Sequence, residues 1–144
     1  MILPDLNLLL YAYNPHAEEH EAARSWWEQS LNGDELIGLP HELSLGFVRI
    51  ATHPRLGPAK VSLKAATAVV ESWWAVPNVR ILLPGENHAA EVFALLKRSR
   101  ATGPLTSDAV LAVYAIAHRA TLYTNDGDFS RFPGLDWRNP LTEN

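Results

Sequence analysis

Short apolar runs rich in β-branched residues alternate along the chain with longer segments whose apolar residues recur at helical spacing. This alternation is typical of βαβ units, in which helices join parallel strands and cover the sheet. Since no linker or internal repeat interrupts it, we predict one α/β domain over 1–144 with a mainly parallel sheet. The predicted strands are 2–4, 35–39, 79–83, 121–124 and a short final strand at 135–137. The predicted helices are 6–13, 16–31, 40–51, 59–75, 87–100 and 106–119, with a loop at 53–58.

The composition excludes several classes of protein. With 144 residues, 47% of them apolar, the chain can bury an ordinary globular core, which excludes fibrous and disordered proteins. The formal net charge of −4 means that binding a polyanion needs a local patch or a metal ion. The longest apolar run, 109–117, is far shorter than the roughly 20 residues of a membrane helix. Cysteine is absent and no secretory signal is recognisable, so we expect a soluble, cytoplasmic protein without disulfides or thiolate chemistry.

Four acidic residues stand where predicted strands end or predicted helices begin. Asp5 and Asp126 follow strands, whereas Glu42 and Asp108 lie in first helical turns. In a parallel sheet such positions converge at the carboxyl edge, where open α/β sheets bind their ligands. Crowded carboxylates repel one another and take up protons unless a cation compensates them, and Mg²⁺ and Mn²⁺ prefer oxygen ligands. The four positions together therefore predict a metal centre.

Each acid taken alone also has a structural explanation. A carboxylate in a first helical turn, such as Glu42 or Asp108, interacts favourably with the helix dipole by ~0.3–1 kcal/mol. Asp126 lies in a segment of residues that favour turns. Asp5 differs from these three, because it lies between an apolar strand and a leucine-rich helix, where an unpaired charge costs several kcal/mol.

The acids stand in four segments that together resemble a known family. The segments are the strand ending in Asp5, 39–43 (LPHEL), 105–112 (LTSDAVLA) and 122–129 (LYTNDGDF). In this order they resemble the PIN-domain ribonucleases, most closely the VapC toxins of bacterial toxin–antitoxin pairs. The resemblance covers nearly the whole chain and implies a three-layer α/β/α fold.

The resemblance also implies a reaction and the residues that carry it out. A quartet of Asp5, Glu42, Asp108 and Asp126 would bind Mg²⁺ or Mn²⁺ and cleave RNA, with transfer RNA a frequent target in the family. We expect Asp5, Asp108 and Asp126 to hold the metal and Glu42 to orient or deprotonate the attacking water, which leaves 5′-phosphate and 3′-hydroxyl ends. Asp128 is an additional acid near the metal.

Further polar residues are expected to assist, and two protein partners are implied. Thr124 and Asn125 fall where the family places small polar residues that hold a metal-bound water or a phosphate oxygen. Asn7 replaces the serine or threonine often found two residues after the first aspartate, which leaves open whether it orders water or caps the helix. The family is typically dimeric and is inhibited by an antitoxin, so we expect a homodimer and a cognate antitoxin.

Arginine side chains near the acids suggest a phosphate-binding rim. Nine of the twelve cationic residues are arginine, whose planar fork matches phosphate oxygens. Arg49 follows Glu42 by two helical turns, and Arg98 and Arg100 lie just upstream of Asp108. The alternative is that Arg98 and Arg100 complement the dipole at an exposed helix end.

Two tryptophan pairs, 26–27 and 73–74, fall on predicted helices. Neighbouring helical side chains point ~100° apart, so both rings of a pair cannot readily enter one core. We expect at least one ring per pair to be exposed or covered by a protein partner.

Two other classes of function compete with the nuclease. A phospho-accepting signalling domain also clusters acids around Mg²⁺, but it needs an aspartate after a middle strand and a lysine after a late one. Here no acid follows 79–83 before Gly85 and Glu86, and no lysine follows 121–124. A non-catalytic PIN-like adaptor that binds RNA or protein is disfavoured because all four acids are retained.

Overall fold

A computed structural model describes residues 1–142 of the chain. The strands are β1 (Ile2–Pro4), β2 (Ile37–Pro40), β3 (Val79–Leu82), β4 (Thr121–Tyr123) and β5 (Trp137–Arg138). The helices are α1 (Leu6–Tyr13), α2 (His20–Leu31), α3 (His41–Ala51), α4 (Leu63–Trp74), α5 (His88–Ser99) and α6 (Leu105–Ala117). Two 3-10 helices, Pro54–Ala59 and Gly127–Arg131, complete the fold.

The five strands form one sheet in the order β3-β2-β1-β4-β5, and every pairing is parallel. The predicted α/β class is therefore confirmed, with helices flanking the sheet. All three residues of the central strand β1 are buried, as expected for a parallel sheet covered on both faces. Because every strand runs the same way, all five carboxyl ends lie at one edge.

An aromatic cluster joins the first four helices. Phe47 of α3 and Trp73 of α4 lie 4.9 Å apart between ring centroids, and Trp27 of α2 meets Trp73 edge-on at 5.6 Å. The indole N–H of Trp73 donates to the hydroxyl of Tyr13 on α1 at 2.8 Å. Such edge-to-face pairs are favoured beyond the area they bury.

In each tryptophan pair one ring is buried in the core and the other is more exposed, as expected for neighbouring side chains on a helix. Trp27 and Trp73 are each 1% exposed, whereas Trp74 is 43% exposed. Trp26 is partly buried, and its ring lies 5.3 Å from that of Tyr123.

Several element boundaries differ from the sequence prediction. Helix α2 begins at His20 rather than at residue 16, because residues 14–20 form turns in which Ala17 N–H donates to Asn14 and His20 N–H to Ala17. Helix α4 begins at Leu63 rather than at residue 59, since the Ser62 hydroxyl caps it by accepting from a backbone N–H. The remaining starting points shift by two residues or fewer.

Three further boundaries were wrong. The predicted loop 53–58 contains the 3-10 helix Pro54–Ala59. Strand β2 starts two residues late because the chain bends at 33–35 and its pairing with β1 begins at Ile37. The last strand is 137–138 rather than 135–137, because its pairing with β4 begins at Trp137. No helix among residues 1–142 has the length and apolar character needed to cross a membrane.

Candidate active site

Asp5 lies at the carboxyl end of the central strand and is 6% exposed. Its backbone N–H donates to the carbonyl of Tyr123 at 2.8 Å. The hydroxyl of Thr124 donates to Asp5 Oδ2 at 2.8 Å and accepts from the backbone N–H of Asp126 at 3.0 Å. The parallel pairing of β1 and β4 therefore joins the first and last members of the predicted quartet through one buried threonine.

The electrostatics show that four acids share one site. Burial raises the pKa of Asp5 above its usual range, the threonine hydrogen bond opposes that rise, and the carboxylate of Asp126 adds to it. Asp108, half-buried in the first turn of α6, has its pKa raised to about 6. Burial is the first cause, followed by the negative charges of Asp5, Asp126 and Asp128, which Arg131 partly offsets. The structure thus brings together the three predicted metal ligands and the additional acid.

The donor set fits a hard divalent cation in its chemistry. All its donors are carboxylate oxygens, and their mutual repulsion is the kind that a cation relieves. Within the described part of the chain, however, no three histidine, cysteine or acidic side chains are close enough to hold an ion together. Mg²⁺ is commonly held by one or two carboxylates together with several waters, so these aspartates fit such an ion without a preformed cluster of three.

A pocket opens beside these acids, which we call the acid pocket. Asp5 and Asp108 line it together with Glu42 and Arg49, which come from the first and last turns of α3. Arg49 is the single cationic residue of its lining among residues 1–142. A cation beside clustered carboxylates suits a substrate that carries negative charge. The remaining lining residues are Leu6, Asn7, Leu43, Gly46, Ser107, Val110 and Leu111.

Glu42 enters the pocket differently from the aspartates. Its side chain is exposed, and it is absent from the charges that raise the pKa of Asp108. Its Oε1 accepts a hydrogen bond from the hydroxyl of Tyr114 at 3.2 Å. The quartet therefore divides into three electrostatically linked aspartates and one separately held glutamate.

The other predicted site residues do not line the acid pocket. Thr124 is fully buried and its hydroxyl is occupied by the two hydrogen bonds above, so it positions carboxylates and has no free donor for a phosphate. Arg98 lines a groove between α5 and α6, and Arg100 follows α5 with a left-handed φ of 53°. Neither arginine lines the acid pocket. Asn125 is half-buried in the loop after β4.

Three residues of this region were missed in the sequence. Ser107 adjoins Asp108, and that adjacency was its available signal. Gly46 also lines the pocket, and a Cβ at this position would lie 3.0 Å from Leu6 Cδ2. Tyr114 looks like one more apolar residue of a buried helix, so nothing in the sequence distinguished it.

Comparison with known proteins assigns the chain to a family. The PIN domain profile matches residues 2–135. Ribonuclease VapC33 of Mycobacterium tuberculosis is 40% identical over 143 residues, which cover 99% of this chain and 100% of that protein. Ribonuclease VapC37 of the same organism is 35% identical over 140 residues, which cover 97% of each chain.

Solved structures show the same fold. Mycobacterium tuberculosis VapC20, described as a sarcin–ricin loop cleaving toxin, aligns with a TM-score of 0.70 at 15% identity and covers 94% of this chain and 99% of its own. A chain of the VapBC2 complex from Rickettsia felis, solved on a promoter DNA fragment, aligns with a TM-score of 0.67 at 20% identity and covers 96% and 98%. With its profile match and its full-length relatives, this chain belongs to the PIN-domain family, in the group of VapC ribonucleases.

Proposed function

We propose that this protein is an endoribonuclease that hydrolyses RNA phosphodiester bonds at the acid pocket and acts as the toxin of a toxin–antitoxin pair. The observation that carries the proposal is the acid pocket at the carboxyl edge of the sheet, where Asp5, Glu42 and Asp108 lie beside Arg49. Its full-length relatives are named as ribonucleases, which supports the reaction class.

The aspartates are proposed as the ligands of Mg²⁺ or Mn²⁺. When bound, such a cation lowers the pKa of coordinated water and neutralises charge on the phosphate oxygens. Asp5 is held by Thr124, so its Oδ2 has a fixed direction before any ligand arrives. Asp108 and Asp126 approach from α6 and from the loop after β4. Asp128 supplies a fourth negative charge from the following 3-10 helix.

The two α3 residues are proposed to act on water and substrate. Glu42 orients the attacking water or accepts its proton, and the products then carry 5′-phosphate and 3′-hydroxyl ends. Arg49, in the same pocket, pairs with a phosphate oxygen of the RNA. Arg98, Arg100 and Asn125 are proposed to contact the RNA outside this pocket.

The partners are proposed from the same family membership. Solved relatives include complexes titled VapBC, such as the one from nontypeable Haemophilus influenzae, which aligns with a TM-score of 0.65. We propose a cognate antitoxin for this chain, a homodimeric assembly, and transfer RNA as the first substrate to examine.

The decisive experiment is cleavage of a total tRNA and rRNA pool by the purified protein with Mg²⁺, Mn²⁺ or EDTA. We expect cutting in both metals, none in EDTA, and none by Asp5→Asn. Asp34→Asn is the matched control, because Asp34 is an exposed aspartate in the loop before β2 and does not line the acid pocket. This variant should cut like wild type. Product ends are mapped by their reactivity with a 5′-phosphate-dependent exonuclease.

Two outcomes contradict the proposal. Ends with a 2′,3′-cyclic phosphate indicate attack by the RNA's own 2′-hydroxyl rather than by water. No cutting by a folded, antitoxin-free protein under any condition moves the assignment to a non-catalytic adaptor that binds RNA or protein.

A further inference from the structure

Glu42 requires something to hold it. Its side chain is exposed in the first turn of α3, and confining a free glutamate side chain costs up to ~1.5–2 kcal/mol of rotamer entropy. Among residues 1–142, the hydrogen bond from Tyr114 is the one side-chain partner that Glu42 has. The geometry of the proposed water-orienting group therefore depends on that tyrosine.

Tyr114 is itself rigidly held. It is 2% exposed on α6, where residues 111–115 are all buried. Its ring lies 4.6 Å from that of His88, the first residue of α5, at an interplanar angle of 42°. The hydroxyl thus reaches Glu42 from a ring packed between two helices. Burial and the Glu42 carboxylate both raise the pKa of Tyr114, so the hydroxyl keeps the proton that it donates.

One helix serves both halves of the quartet. Tyr114 follows Asp108 by six residues on α6, which is about 9 Å along the helix axis at 1.5 Å per residue. Asp108 lines the acid pocket. The hydroxyl of Tyr114 donates its hydrogen bond to Glu42, which lies on α3. A displacement of α6 would therefore move both Asp108 and the hydroxyl that holds Glu42.

We propose that Tyr114 is a positioning residue that holds Glu42 through Oε1 and leaves Oε2 available to the attacking water. The inference rests on the proposed ribonuclease function and assigns Tyr114 a task within it. Tyr114 does not contact the reacting atoms, so its effect passes through Glu42.

The test is Tyr114→Phe, which removes the hydroxyl and keeps the ring. On a defined RNA containing a mapped cleavage site, with saturating Mg²⁺, we expect kcat to fall about tenfold with KM within about twofold of wild type. Glu42→Gln should fall further, and adding Tyr114→Phe to it should cause no additional loss, since the tyrosine then has no carboxylate to position.

The matched control is Tyr13→Phe. It removes another hydroxyl, the acceptor of the Trp73 indole hydrogen bond, at a position that does not line the acid pocket. We expect it to lower the melting temperature at least as much as Tyr114→Phe does while leaving kcat unchanged.

An activity-independent readout accompanies the kinetics. The ¹³C shift of the Glu42 carboxyl carbon should change in Tyr114→Phe and stay unchanged in Tyr13→Phe. Equal kcat losses in both phenylalanine variants, or additive losses with Glu42→Gln, would overturn the positioning role alone. If the wild-type protein cuts no RNA, both the proposed function and the positioning role of Tyr114 are contradicted. If the wild type cuts RNA and Tyr114→Phe is equally active, only the positioning role is contradicted.

Discussion

The charged groups at the two ends of the parallel sheet are arranged in opposite ways. At the amino end, the Met1 ammonium pairs with Glu35 at 3.2 Å, and the Asn78 amide donates to the carbonyls of Ser30 and Glu35. At the carboxyl end, the negative charges of Asp5, Asp126 and Asp128 disfavour the ionisation of Asp108. The amino end therefore stabilises the fold, whereas the carboxyl end holds an unfavourable charge arrangement that suits a cationic or charged ligand.

The largest contrast is expected from Asp108→Asn. Cleavage should fall on the order of 100-fold or more, because charge stabilisation by a bound cation is worth several kcal/mol. In EDTA at pH 7.5 the free energy of unfolding of this variant should be ~1 kcal/mol higher than that of wild type, so the variant is the more stable protein. This figure allows for solvent screening of a half-exposed group. Cleavage assays and urea unfolding in EDTA measure the two effects.

The pH dependence of that difference follows from the sign of the shift. The pKa of Asp108 is about 6 in the folded chain, against an ordinary 3.8. The folded state therefore binds this proton more tightly, and the wild type loses stability relative to Asp108→Asn as the pH rises from about 4 to about 6. Added Mg²⁺ or Mn²⁺ should stabilise the wild type more than the variant. A variant less stable than wild type at pH 7.5 in EDTA would contradict the comparison.

Asn78→Ala tests the opposite end. Its amide makes hydrogen bonds of 3.2 and 2.8 Å to two backbone carbonyls, and leaving these acceptors without a partner should lower the free energy of unfolding by ~2 kcal/mol. Below the melting temperature, kcat should equal that of wild type. A loss of kcat in this variant would show that the two ends are coupled rather than separate. Thermal unfolding and cleavage kinetics are measured on one preparation.

A smaller effect than these is expected from Arg49→Ala on RNA affinity. Loss of one phosphate contact should weaken binding several-fold and reduce the slope of log K against log salt by ~0.7, the value for one phosphate of a single strand. Arg80→Ala is the matched control, because Arg80 lies at the other end and donates to the carbonyl of Pro77 at 2.7 Å. Binding is measured with the inactive Asp5→Asn protein at several salt concentrations.

The double variant Arg98→Ala plus Arg100→Ala extends that measurement to the rest of the predicted rim. Since neither side chain lines the acid pocket, we expect a smaller change in affinity than with Arg49→Ala. A larger change would place the main RNA contact outside the pocket.

Local signals predicted the elements best where they were unambiguous. The bounds of β1 and α1 agree with the prediction. A short apolar run that ends at Pro4 indicates a strand, and the leucine-rich segment after it indicates a helix. The start of α2 was placed too early. Residues 16–19 include helix-forming residues, but Asn14 accepts hydrogen bonds from the backbone N–H groups of His16 and Ala17, which form turns there. Helix geometry predicted that one ring of the 73–74 pair would be exposed, and the packing of α4 decided that it is Trp74.

The sequence by itself determined the fold class, the order of the elements and the positions of Asp5, Glu42, Asp108 and Asp126, because hydrophobic period and chain position are local properties. Tertiary structure alone decided which side chains meet. Thr124 joins Asp5 across 119 residues, and Tyr114 reaches Glu42 across 72. Such contacts depend on strand order and helix packing, which no local pattern encodes. The same reason placed Arg49 in the acid pocket and left Arg98 in a separate groove.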